Sequence, residues 1–164
     1  MHKPEALKRV LLERVPTLKD NPERLSIFVD KGKLVARATT TLSFEYHYTL
    51  NVVIQDYAGS HDALMLPILV WIAEAQPDLL ERAPNEPLTF ESELLDSDAS
   101  DVSLDLQLSE RVLVERKQDG TGYNVRHLED GRAPDAFAGV CGATLWQLEL
   151  GDDVLFESPN MPPP

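Results

Sequence analysis

From residue 42 to residue 55 the chain reads LSFEYHYTLNVVIQ, and every even position is apolar: Leu42, Phe44, Tyr46, Tyr48, Leu50, Val52 and Ile54. The odd positions are polar except Val53. Strand side chains alternate between faces, so a period of two predicts one β-strand with a buried face and a wet face. Its length of about 14 residues far exceeds the usual 5–6, and it spans roughly 45 Å at ~3.3 Å per residue. A second stretch, VSLDLQLSERVLVER at 102–116, repeats the pattern with Val102, Leu104, Leu106, Leu108, Val112 and Val114 on one face. Glu110 interrupts that face, and a bulge or an exit from the core is expected there.

Shorter strands flank these two. LSIFVD, KGK and LVARATT read as a hairpin about Gly32. LTFESELLD at 88–96 is a strand, and 123–128 forms another after the Asp119-Gly120 turn. TLWQLEL and VLFE predict a hairpin over 144–157, with Trp146, Leu148, Leu150, Val154 and Phe156 on one face.

Two segments follow a helical period. Pro4 suits a first helical position, and Leu7, Val10, Leu11 and Val15 then share one side, with Lys8, Arg9 and Glu13 on the other. Pro16 ends this helix, and Asp20-Asn21-Pro22 marks a loop. HDALMLPILVWIAEAQ is apolar nearly all round, so this helix must be covered on more than one side. Ser60 or Asp62 caps it, and Pro67 kinks or restarts it. The expected class is α+β: a mostly antiparallel, twisted sheet with two helices packed on one face, plus a C-terminal β-hairpin. The chain divides into an α+β domain (1–128), a linker (129–142), and the hairpin with its Pro-rich end (143–164).

Charge changes the picture. The chain of 164 residues has a net charge of −13, which argues against binding a phosphate backbone. Residues 1–40 carry nine basic and five acidic side chains (+4), whereas residues 41–164 carry six and 23 (−17). Such opposed poles suit head-to-tail packing with a second copy. Hydrophobic content of 43% supports a real core. The single cysteine, Cys141, excludes an internal disulfide and a thiolate metal cluster. The longest apolar run, Ala63–Ala73, is too short for a bilayer, and no secretory h-region stands at the start. A soluble protein made in the cytosol is expected.

No catalytic constellation emerges. His2, His47, His61 and His127 form no metal-ligand spacing, and His47 on the wet face of the long strand reads as a surface or interface residue. Cys141 in GVCGA lacks the nucleophile-elbow spacing. DSDASD at 96–101 opens like a calcium loop, but Asp101 and Gln107 occupy the positions that need Gly and Glu, so it reads as an acidic turn. No cofactor or metal is expected. What stands out instead is surplus strand length and apolar surface, which an obligate oligomer would cover.

In order along the chain, KDNPERLSIFVDKGKLVA, TLSFEYHYTLNVVIQDYAG, LPILVWIAEAQPDLL and FESELLDSDASDVSLDLQLSERVLV resemble the tail-completion protein R family of contractile-tailed phages and related contractile bacteriocins. The resemblance covers roughly residues 1–117. It implies a structural, non-enzymatic terminator at the head-proximal end of the tail that stops tube and sheath growth. It also implies a fold like the lambda tail terminator, which forms a six-fold ring. The implied partners are the chain itself in a hexameric ring, the tube and sheath proteins, and a head-proximal connector if the particle is a phage. No specific nucleic acid or membrane is implied. The implied location is the tail of a virion or bacteriocin, assembled in the bacterial cytoplasm. The residues expected at subunit or tail contacts are Lys8, Arg9, Arg14, Phe44, Tyr46, His47, Trp146 and Phe156. Two alternatives stand beside this reading. One is a monomeric assembly factor or binding module that leaves the mature particle. The other, more remote, is an acidic hydrolase resting only on unassigned carboxylates and His47.

Overall fold

The computed structural model describes residues 1–36, 41–95, 98–128, 147–150 and 153–157. The chain opens with α1 (Lys3–Arg14), and Val15 breaks the helix with an extended backbone. Pro16 does not simply stop the helix as expected: it starts a second, short one, α2 (Pro16–Asp20). A first helical position tolerates proline because its amide would be unpaired anyway. A 3₁₀ turn (Pro22–Arg24) then leads into β1 (Leu25–Ala36).

β1 overturns the expected hairpin about Gly32. It is one strand, paired antiparallel with β2 (Phe44–Tyr57) both before and after residues 31–32. The register slips between Asp30 and Lys33, so the Lys-Gly-Lys segment is a β-bulge rather than a turn. Lys31, not Gly32, takes the positive φ of 49°, and its amide donates to Asp30 Oδ1 at 2.9 Å. Two apolar runs separated by a glycine have the same local signature in both cases; a partner strand long enough to pair with both runs decides.

The other elements are α3 (His61–Ala75), α4 (Asp78–Glu81), β3 (Thr89–Leu94), β4 (Ser100–Arg116) and β5 (Tyr123–Leu128). Five antiparallel strands form the main sheet in the order β1-β2-β4-β3, with β5 also on β4. β3 pairs with residues 100–105 of β4 and β5 with residues 111–116. β2 and β4 pair without a slip from Phe44 opposite Val112 to Ile54 opposite Val102. The long strand of the sequence is therefore the centre of the sheet, matched by an equally long neighbour. β6 (Gln147–Leu150) and β7 (Asp153–Glu157) form a separate two-stranded sheet. There Leu148 lies opposite Phe156, but an irregularity places Val154 opposite Glu149 rather than Leu150. The linker at 129–142 and Trp146 lie outside the described residues.

The core lies between one sheet face and the helices. Leu50, Val52 and Ile54 of β2 and Leu104 and Leu106 of β4 meet Leu7 and Leu11 of α1 and Leu64, Ile68 and Ile72 of α3 in one cluster. Each such side chain contributes about 1.5–3 kcal/mol when fully buried. α3 is covered on several sides, as its composition requires: it packs against α1, and among its residues only Asp62 is exposed. Ser60 caps it, its Oγ accepting from the Asp62 amide at 3.2 Å. Pro67 lies inside the helix, which continues through to Ala75. Just before the cap, Gly59 sits under Tyr57, where an added Cβ would come 2.6 Å from the phenol oxygen. Burial pushes the Tyr57 hydroxyl up to about 12.

Candidate interaction surfaces

Glu110 does not mark an exit from the core. β4 runs through it without a bulge, and the residue is 4% exposed on the core-side face. Its carboxylate accepts from the Tyr48 hydroxyl at 2.5 Å, from the His2 amide at 2.7 Å and from the Lys3 amide at 3.3 Å. His127 Nδ1, buried, lies 3.1 Å from Oε2 without an aligned hydrogen bond, so that contact is one of proximity. Burial by itself would raise the Glu110 carboxyl, but the Tyr48 hydroxyl and the two amides outweigh it and hold the group below the ordinary carboxylate range. Burial, with the neighbouring carboxylate, drives the Tyr48 hydroxyl up.

A second set of polar contacts adjoins it. Between the stretches that pair with β3 and β5, the free side of β4 is closed by side chains. The buried Gln76, at the end of α3, accepts from the Ser109 amide at 3.0 Å and from Lys3 Nζ at 2.8 Å. Lys3 Nζ also donates to the Ser109 carbonyl at 2.8 Å. Together, Glu110, Gln76 and Lys3 tie the start of α1 and the end of α3 to the middle of the sheet. Only Glu110 left a trace in the sequence, as a break in alternation; Lys3 and Gln76 left none.

This knot divides the ribbon. Toward residues 48–54 the core-side face is under helices. Beyond the knot its flanks open, with Leu34 56% and Val125 62% exposed, while Val112 and Val114 between them stay buried. Phe44 and Tyr46 lie on this outer stretch, half-buried, their rings edge to face at 5.0 Å. His47 is on the opposite face of the sheet, 46% exposed, with Nε2 3.5 Å from Glu45 Oε1. Lys8 and Arg9 are exposed on α1, and Arg14 is half-buried. The contact residues read from the sequence thus fall on three surfaces: the open end of the core-side face, the far face of the sheet, and the outward side of α1. Trp146 is outside the described residues, and Phe156 lies in β7.

The far face is polar and acidic. Asn51 donates to Asp105 Oδ1 at 2.8 Å and to Ser103 Oγ at 3.2 Å, and Gln107 donates to Thr49 Oγ1 at 2.9 Å. By register, Glu91, Glu93, Asp101 and Asp105 share this face. Among the described residues no group of three His, Cys, Asp or Glu side chains is placed to hold a metal ion. No helix among them is long and apolar enough to cross a membrane.

Residues 1–131 match the model of the family described as P2 phage tail completion protein R (GpR). The chain is also similar to tail completion protein R of Escherichia phage P2, at 37% identity over 137 residues, which cover 82% of this chain and 87% of that protein. No solved structure matches the chain.

Proposed function

The chain belongs to the P2 phage tail completion protein R family, and from that membership we propose that it is a structural tail protein that caps the head-proximal end of a contractile tail. In this reading copies of the chain close into a ring, with six subunits as the expected number, and the ring stops further growth of tube and sheath. The observation that carries the reading is the extent of the match. It runs through residue 131, past the stretch that first suggested the family, and so takes in α1 to α4 and all five strands of the main sheet.

The physical features support it. A ring is built from heterologous contacts, in which one face of a subunit meets a different face of the next. The charge split between residues 1–40 (+4) and 41–164 (−17) supplies unlike surfaces of that kind. The tube and sheath proteins are the proposed partners, met through Phe44, Tyr46 and His47 at the open end of the ribbon. The β6–β7 hairpin, a sheet separate from the main one, is assigned to contacts outside the 1–128 body.

Light scattering on the purified protein tests the ring: six chain masses are expected. Electron microscopy of tails made without the protein tests the cap, and tails of uneven length are expected. A monomer at every concentration would remove the ring, and uniform tails made in its absence would remove the cap.

A further inference from the structure

The main sheet has three outer strands, β1 on one side and β3 and β5 on the other, and none has a further strand partner among the described residues. An open edge is a row of unpaired amides and carbonyls that templates another strand. β1 is exposed from Phe28 to Ala36, and β3 is exposed throughout. The bulge and the charges would suffice to blunt these edges against chance pairing. Blunting does not account for what the edges display on the core side of the sheet. There β1 presents Val29 and Leu34, opposite Leu50 and Tyr46, and β3 presents Phe90 and Leu94, opposite Leu104 and Ser100. Phe90 is 57% and Leu94 83% exposed.

On the far face β1 also carries Asp30 and the apolar Phe28 and Val35, opposite Thr49, Asn51 and Glu45, and one pair of charges is complementary. β1 presents Lys33, opposite His47, whereas β3 presents Glu91 and Glu93, opposite Ser103 and Asp101. Apolar thus meets apolar on one face, and on the other the Lys33 cation can meet the Glu91 anion, with Asp30 then opposite Glu93. The directions agree too. β1 and β4 both run antiparallel to β2, and β3 runs antiparallel to β4. A β3 strand added to β1 in the same sense therefore continues the antiparallel order.

We propose that this site is occupied by a second copy of the chain, whose β3 edge pairs head to tail with the β1 edge of its neighbour. The inference rests on the ring reading and specifies the contact that builds the ring. It also requires a stagger. Through Ser103, Glu91 is level with Val53, whereas Lys33 is level with His47, six positions away along β2. Bringing Lys33 to Glu91 offsets neighbours by roughly 20 Å at ~3.3 Å per residue. A sheet that closes on itself needs such a shear.

Equilibrium mass measurements on charge-reversed variants test it. Lys33→Glu sets an acid opposite Glu91, and Glu91→Lys sets a lysine opposite Lys33. Each variant should melt like the wild type and need about tenfold more protein to assemble. Mixed in equal amounts, the two should regain wild-type assembly, because alternating subunits restore unlike charges at every contact of an even-numbered ring. Variants that assemble as the wild type does, or a mixture that recovers nothing, would overturn the edge pairing and leave the ring reading intact. A wild-type protein that is monomeric at all concentrations would overturn both.

Discussion

The two halves of the β2–β4 ribbon carry the same alternation and end in different environments. In one half Leu50 and Leu106 are wholly buried under α1 and α3. In the other, Phe44 and Tyr46 are half-buried and their β1 neighbour Leu34 is mostly exposed. A period of two says which residues share a face. What covers that face depends on how far the helices reach, and they stop at the Glu110–Gln76–Lys3 knot. The flanks of that half, Leu34 and Val125, are exposed apolar surface that no helix among the described residues covers, the kind of surface that marks a contact with another molecule.

The sharpest way to break this contrast is a set of three truncations. Leu50→Ala should destabilise the fold by about 2–5 kcal/mol, since a buried leucine leaves both lost transfer energy and a cavity. Leu34→Ala and Val125→Ala should stay within about 0.5 kcal/mol, as exposed sites do. Denaturant melts of the three proteins decide, and equal losses would show that the two halves are equally covered.

Glu110 marks the boundary between the halves. Glu110→Gln should cost about 1–3 kcal/mol at pH 7, because three donors lose a charged acceptor. The pH dependence has a definite sign. The folded carboxyl titrates below its unfolded value of about 4.3. Its contribution is complete above that value and is lost as pH falls through the folded one. Thermal melts of wild type and Glu110→Gln should therefore differ most at neutral pH, and the difference should shrink as pH falls below about 4.3 and through the folded value. A constant difference across that range would mean that the charge contributes nothing.

The smallest effect on stability is expected on α1. Lys8→Glu with Arg9→Glu should leave the melting temperature nearly unchanged, since both residues are exposed. If these residues orient neighbouring subunits, the double variant should assemble more weakly, by about 1 kcal/mol or less per pair, and the deficit should shrink in high salt. Assembly indifferent to both the substitutions and salt would confine their role to solvation.

How much of this was legible in the chain follows from the range of each interaction. The faces of β2 and β4, the all-round burial of α3, a cap at Ser60 or Asp62 (the structure chose Ser60) and the exposure of Lys8 and Arg9 follow from spacings of two to four residues, and the sequence by itself determined them. So, too, was the antiparallel α+β class. It also separated His47 from Phe44 and Tyr46, because neighbouring residues on a strand face opposite ways. Tertiary structure decided the rest. Whether Lys31-Gly32-Lys33 turns or bulges depends on β2, which pairs with both flanks. Whether Glu110 leaves the core depends on donors at residues 2, 3 and 48, up to 108 positions away in the chain. A carboxylate is tolerated inside only where such donors converge, and convergence is a property of the folded chain that no local period encodes.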